Sequence, residues 1–130
     1  MKLPKPTDSE LAILQVLWQE GPSTVKVIHE ALSKTRDIGY TTALKLMQIM
    51  HGKGLLTRER LGKTHVYQPA ISQEKTQKQL LNKLMDTAFQ GSAMNLIMQA
   101  LGNQKATSEE LTQIKSFIEK LEGGQNENTQ

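Results

Sequence analysis

The stretch Leu56-Thr57-Arg58-Glu59-Arg60-Leu61-Gly62-Lys63-Thr64-His65-Val66-Tyr67-Gln68-Pro69 decides the fold. Its two halves, Leu56 to Leu61 and His65 to Gln68, carry a strand-like pattern, and Gly62-Lys63-Thr64 between them has the chemistry of a turn. The segment reads as a hairpin with a basic tip, closed by Pro69. Arg58, Arg60, Lys63 and His65 alternate with Thr57, Leu61 and Val66, so one face can pack while the other presents charge. Tyr67 is expected to pack beneath the hairpin.

Upstream of the hairpin the apolar period is that of helices. Thr7-Asp8-Ser9-Glu10 is a capping box, in which each side chain satisfies a free amide of the first turn. Leu11, Leu14, Leu17 and Trp18 follow at helical spacing until Gly21-Pro22 stops the element. Trp18 is expected in the core. Ser23 can cap a second helix with Val25, Ile28, Ala31 and Leu32 inward, ending in the polar loop Ser33 to Gly39. A third helix runs from near Thr41 to about His51, with Ala43, Leu46, Met47 and Met50 inward, and Gly52 and Gly54 end it.

Downstream the pattern is helical again from Ser72, with Leu80, Leu81, Leu84, Met85, Ala88 and Phe89 leading to a break at Gly91-Ser92. A segment from Ala93 to Leu101 stops at Gly102-Asn103. Another capping box, Thr107 to Glu110, opens a helix carrying Leu111, Ile114, Phe117, Ile118 and Leu121. Residues 1–70 can close one small core. Residues 71–122 form three helices with no obvious way to close one alone. Seven of the nine residues from Ala93 to Leu101 are apolar and fall on no single stripe, so this helix must be covered on several sides. A second copy of the chain is the economical cover. Residues 123–130 are expected to be a disordered tail.

Composition agrees with a compact protein: 130 residues, 37% hydrophobic and 22% charged, without cysteine. Disulfide frameworks and thiolate metal sites are excluded. No apolar run exceeds four residues, Leu11 to Leu14, and the opening residues contain no apolar stretch of signal-peptide length, so a cytoplasmic location is the default expectation. The net charge of +3 is unevenly spread: residues 1–70 hold ten Lys/Arg against six Asp/Glu, residues 71–130 six against seven. From Lys34 to His65 stand seven bases (Lys34, Arg36, Lys45, Lys53, Arg58, Arg60, Lys63) against Asp37 and Glu59. Such a stretch is an electrostatic footprint for phosphate or, equally, a Lys-rich solvated surface.

Three helices followed by a basic-tipped hairpin is the layout of a winged helix-turn-helix, whose third helix enters the major groove while the hairpin lies along the DNA backbone. The fold class is therefore mainly α with a small β-hairpin: a winged helix-turn-helix domain plus a helical dimerisation domain. Thr41, Thr42, Lys45 and Gln48 are the polar residues available to the groove. Lys and Gln can meet guanine and adenine edges, and Thr can reach base or phosphate. Each taken singly also fits an ordinary solvated helix face. Leu44 and Ile49 complicate that face; an outward Ile could touch a thymine methyl or pack on the wing or first helix. Arg58, Arg60 and Lys63 would hold phosphate, Lys63 most directly. Leu84, Phe89, Leu96, Ile97, Leu101, Phe117 and Ile118 are the expected apolar centre of the dimer.

The chain resembles the penicillinase repressors of the BlaI/MecI type from Thr7 to about Leu121. The resemblance is carried by Glu10-Leu11 with Leu14 and Leu17-Trp18, Gly21-Pro22 with Thr24-Val25, Tyr40-Thr41-Thr42, Lys53-Gly54, and Gly62-Lys63 followed by Val66-Tyr67 and Pro69. It implies a dimeric transcriptional repressor with a winged-helix domain and a helical dimerisation domain. It also implies release by an inducing protease acting inside the dimerisation domain, at an Asn-Phe bond in some members. Here Gln99-Ala100 falls where that bond would lie, and the motif is missing. Where the family's third helix often carries a lysine and later an arginine, this chain has Leu44 and Ile49, so the operator sequence does not carry over. The copper-responsive branch uses C-terminal cysteines, which this chain lacks.

Catalysis is not expected. His29, His51 and His65 lie on three different elements with no thiol or paired carboxylate at ligand spacing, and Gly52-Lys53-Gly54 lacks the rest of a phosphate-loop pattern. No cofactor or metal is implied. The alternative from another class is a winged-helix protein-interaction adaptor, against which the basic stretch argues. The expected partners are a double-stranded DNA operator and a second copy of the chain, with no membrane insertion.

Overall fold

The computed structural model describes residues 5–103 and 106–128, in the order α1 (Asp8–Glu20), α2 (Val25–Leu32), α3 (Tyr40–Gly52), β1 (Leu56–Leu61), β2 (Thr64–Pro69), α4 (Gln73–Ala88), α5 (Ala93–Gly102) and α6 (Ser108–Asn128). The chain divides into two compact units, Met1–Leu80 and Leu81–Gln130.

In the first unit each helix turns one apolar stripe inward. Ile13, Leu14 and Leu17 of α1, Val25, Ile28 and Leu32 of α2, and Ala43, Met47 and Met50 of α3 meet Leu55, Leu56 and Tyr67 in a single core. Each fully buried large side chain contributes roughly 1.5–3 kcal/mol. Ile13 takes an interior place where the spacing suggests Leu11, which is half-buried, as is Leu46. Trp18 packs at the edge of the core, and its indole N–H donates to the Ile71 carbonyl (3.1 Å). Thr76, on the first turns of α4, is buried with its hydroxyl on the Ser72 carbonyl (2.8 Å), so the first unit takes in the start of α4.

Ser23 does not cap α2. Thr24 does, accepting from the Val27 N–H, while Ser23 lies extended and exchanges backbone hydrogen bonds with Tyr67 of β2 (2.9 and 2.8 Å). Strand pairing claims Ser23, and the helix begins one residue later. The α3 terminus is a Schellman motif: Leu55 N–H reaches the Met50 carbonyl, Gly54 N–H the His51 carbonyl, and Gly54 sits at φ 83°. Gly54 therefore ends the helix and feeds Leu55 and Leu56 into the core, whereas Gly52 is still helical.

β1 and β2 pair antiparallel from Leu56 opposite Pro69 to Leu61 opposite Thr64. The loop is thus the two residues Gly62-Lys63, one shorter than the sequence suggests. Gly62 at φ 65°, at the first central position, matches a type II′ turn, which only glycine enters without strain. Leu56 and Tyr67 anchor the hairpin's base, but Leu61 near the tip is 57% exposed, so neither face packs over its full length.

The second unit holds the rest of α4, α5 capped by Ser92, and α6 opened by the reciprocal Thr107–Glu110 capping box. α6 continues to Asn128, through residues the sequence reading assigns to a disordered tail; Thr129 and Gln130 lie outside the described residues. Extension is cheap once a helix is nucleated, because each added residue brings a hydrogen bond, and Gly123-Gly124 weakens the last turns without breaking them.

One ion pair is built into the first core. Glu10, 3% exposed, accepts the Thr7 N–H (2.9 Å) and the Lys53 ammonium on both oxygens (2.9 Å each). Burial pushes its carboxyl up, but the Thr7 amide and the Lys53 ammonium outweigh it and hold the group below the ordinary glutamate value. A carboxyl so depressed stabilises the fold above its unfolded value, about 4.3, and that stability is lost as pH falls through the folded value. Because Lys53 is 41% exposed, solvent screens the pair. Glu10→Gln should cost about 1 kcal/mol in urea unfolding at neutral pH. The gap from the unsubstituted chain should close below the ordinary carboxylate range; a gap independent of pH would rule out the charged pair as its source.

Candidate nucleic-acid interface

α3 starts at the extended Gly39, with no side chain over its first amides. Its entry is held by His29: Nε2 lies 2.8 Å from the Ile38 carbonyl and so is the nitrogen carrying hydrogen, and the ring meets Tyr40 edge-on at 5.9 Å. Since Ala43, Met47 and Met50 turn inward, Thr41, Thr42, Lys45 and Gln48 all stand exposed on the opposite side, as the period requires. The two ambiguous positions separate. Ile49 is 45% exposed among these polar residues, whereas Leu44 is half-buried and lines a cleft bounded by the wing.

The wing's bases differ in how they are held. The Arg60 Nε–H donates to the Gly62 carbonyl (3.0 Å), folding its stem over the turn, and Arg58 leans on the Tyr67 hydroxyl at 3.5 Å. Both share one face with Tyr67 and His65, and both remain exposed. Lys63 projects from the turn itself. The basic stretch is therefore not one surface: Lys53 is paired with Glu10, and Lys34 and Arg36 line a separate groove with Ala12 and Gln15 of α1. Lys26 and Tyr40, exposed beside the wing tip, are additions that the linear charge count did not reveal. Tyr40 adjoins the outward threonines in sequence; Lys26 carries no signal beyond a polar helix position.

In the second unit, among the described residues, nothing after Thr76 is buried. Leu84 and Ile97 are each 47% exposed, Phe117 60% and Ile118 47%, while Phe89, Leu96 and Leu101 are half-buried. Met94 and Met98 add to the exposed apolar surface of α5. Among the described residues no helix is long and apolar enough to cross a membrane.

Three helices, a hairpin pinned to their core and a polar third-helix face beside a basic tip define a winged helix-turn-helix protein. The chain belongs to the penicillinase repressor family, which matches residues 6–120. It is 28% identical over 125 residues to the transcriptional regulator BlaI of Mycobacterium tuberculosis, covering 95% of this chain and 89% of the relative. It is 22% identical over 118 residues to the penicillinase repressor of Bacillus licheniformis, covering 91% and 92%. Among solved structures it resembles the monomeric form of Bacillus licheniformis BlaI in complex with the blaP half-operator. That match has a TM-score of 0.50 and 27% identity, over 56% of this chain and 89% of that one.

Proposed function

We propose that this chain is a dimeric, sequence-specific DNA-binding transcriptional repressor of the cytoplasm, gripping a two-fold symmetric operator through α3 and the wing. The observation that carries this reading is the exposed stripe Thr41, Thr42, Lys45 and Gln48 on α3, the helix whose Tyr40 and Leu44 share a cleft with the basic tip at Lys63. An α-helix fits the major groove, and side chains of this length and polarity reach base edges there. The wing's Arg58, Arg60 and Lys63 supply phosphate contacts that fix register without reading sequence. Repression follows from occupancy and needs no catalysis. That the half-operator complex exists for a 27% identical family member supports the same partner here.

The second unit supplies the dimer in this reading. A monomer leaving Leu84, Ile97, Phe117 and Ile118 about half-exposed or more carries apolar surface of the kind interfaces cover. Phe89, Leu96 and Leu101 extend the same apolar set. Tethering two winged units makes the second half-site contact intramolecular. A protease cutting α5 near the exposed Gln99 and Ala100 would divide this unit and release the tether, provided the helix opens locally.

Reading and holding separate experimentally. Lys45→Ala should cost about 1–3 kcal/mol and relax preference at one base position. Lys63→Ala should weaken all sequences alike and lower the salt slope by about one. Binding across a randomised operator checks both, and specificity moving with Lys63 but not Lys45 would count against the assignment. The full chain should hold a two-fold site ~100-fold or more tighter than the excised first unit; equal affinities would remove the tethering argument. Phe117→Asp, at a position already 60% exposed in the single chain, should leave the fold intact and halve the light-scattering mass. A dimer mass persisting at the lowest measurable concentration would place the interface elsewhere. Salt-insensitive capture of one protein with no duplex binding would favour an adaptor.

A further inference from the structure

We propose that the cleft between α2, α3 and the wing is a seat for one phosphodiester of the DNA backbone, held between Lys26 and Lys63. The inference rests on the DNA-binding reading above and adds a site to it. The cleft has a volume of about 470 Å³ and lies where Thr24 and Lys26 of the α2 start, Tyr40 and Leu44 of α3, and Lys63 and His65 of the wing come together. Three elements far apart in sequence thus contribute to one concavity. No aspartate or glutamate lines it.

The polar groups at its rim are suited to an anion. Two lysines supply charge from different elements, Lys26 from α2 and Lys63 from the wing. The Thr24 hydroxyl accepts the Val27 N–H but keeps its own proton to donate, and the Tyr40 phenol and the His65 imidazole can each donate as well. A phosphodiester oxygen only accepts. The positive end of the α2 dipole adds to the same potential without carrying the argument. The floor is apolar, with Val25 and Tyr67 buried and Leu44 half-buried, and the volume exceeds what a bare anion fills. A sugar–phosphate unit matches both features, its sugar against Leu44 and its phosphate between the lysines.

Free inorganic phosphate shares the anion chemistry. The backbone is favoured because the cleft is lined by the two elements, α3 and the wing, that the DNA reading lays against the duplex. A phosphate bridging Lys26 and Lys63 would fix the span between helix and wing, and so set the depth and register of Thr41, Thr42 and Lys45 in the groove. Lys26, Tyr40 and His65 are then positioning contacts whose loss weakens every sequence alike.

A double-mutant cycle on the full chain tests this, with a random-sequence duplex as probe at fixed salt. Lys26→Met and Lys63→Met should each weaken binding about 3- to 10-fold. Combined, they should depart from the product of the single effects by more than about two-fold, as side chains sharing a partner do. Lys34→Met, which removes the same charge from the separate groove beside α1, should combine with Lys26→Met multiplicatively. An inert Lys26, or multiplicative behaviour of Lys26 with Lys63, overturns the seat while wild-type binding leaves the DNA reading standing. Failure of the unsubstituted chain to bind any duplex with salt-dependent affinity overturns the DNA reading itself. Titrating inorganic phosphate at constant ionic strength, followed by the amide resonances of Lys26 and His65, separates the sources. Saturable shifts with a multiplicative Lys26–Lys63 cycle would make the cleft a free-phosphate site and overturn the backbone assignment.

Discussion

Two backbone hydrogen bonds between Ser23 and Tyr67 hold the first unit in its working shape. They pin β2 to the connection between α1 and α2, so the hairpin is not left to stand alone, which a two-stranded hairpin in water rarely does. Tyr67 is 1% exposed at the same point, so the side chain enters the core while its main chain completes the pairing. Because the next residue, Thr24, caps α2, the pairing also sets where that helix starts relative to the wing. The cleft that joins α2, α3 and Lys63 is a geometric consequence. Loosen Ser23 from Tyr67 and the wing loses its fixed distance from the third helix.

Ser23 also shows where sequence patterns stop informing. A serine before an apolar helical run looks like a cap, and nothing local distinguishes it from Thr24 beside it; the choice is made by a strand far along the chain. The period of each helix, the Thr7–Glu10 and Thr107–Glu110 boxes and the hairpin were legible because they depend on neighbours within a few residues. The outward direction of Thr41, Thr42, Lys45 and Gln48 followed from the inward direction of Ala43 and Met47 on the same helix. Lys26 and Tyr40 were not legible as one cluster with Lys63, since only tertiary contact brings them together.

Charge taught the same lesson with a sign change. Counted along the chain, Lys53 belongs to a basic stretch, yet its ammonium neutralises Glu10, which at the same time caps α1. Arg60 and Arg58 stay exposed but lean on the hairpin itself. The basic surface open to a partner is therefore smaller than the composition suggests: beside the wing's Arg58, Arg60 and Lys63 it comes down to Lys26 near the start of α2 and Lys45 on α3. Concentration matters more than total, because exposed charges farther apart than a Debye length of about 8 Å are largely screened at physiological salt.

The two units answer differently to dilution. The first closes its core from Ile13 to Tyr67 within one chain, so its fold does not depend on protein concentration. The second buries no described side chain, and on the dimeric reading its order is coupled by mass action to a second copy. DNA affinity would then fall in two stages as concentration drops: tethering is lost first, while each winged unit stays folded and able to meet a half-site. A cut in α5 would reach the same end state by covalent means. In both cases the surface of α3 is untouched, so on the proposed reading loss of repression would require no change in the helix assigned to the groove, only in the segment assigned to hold two such helices together.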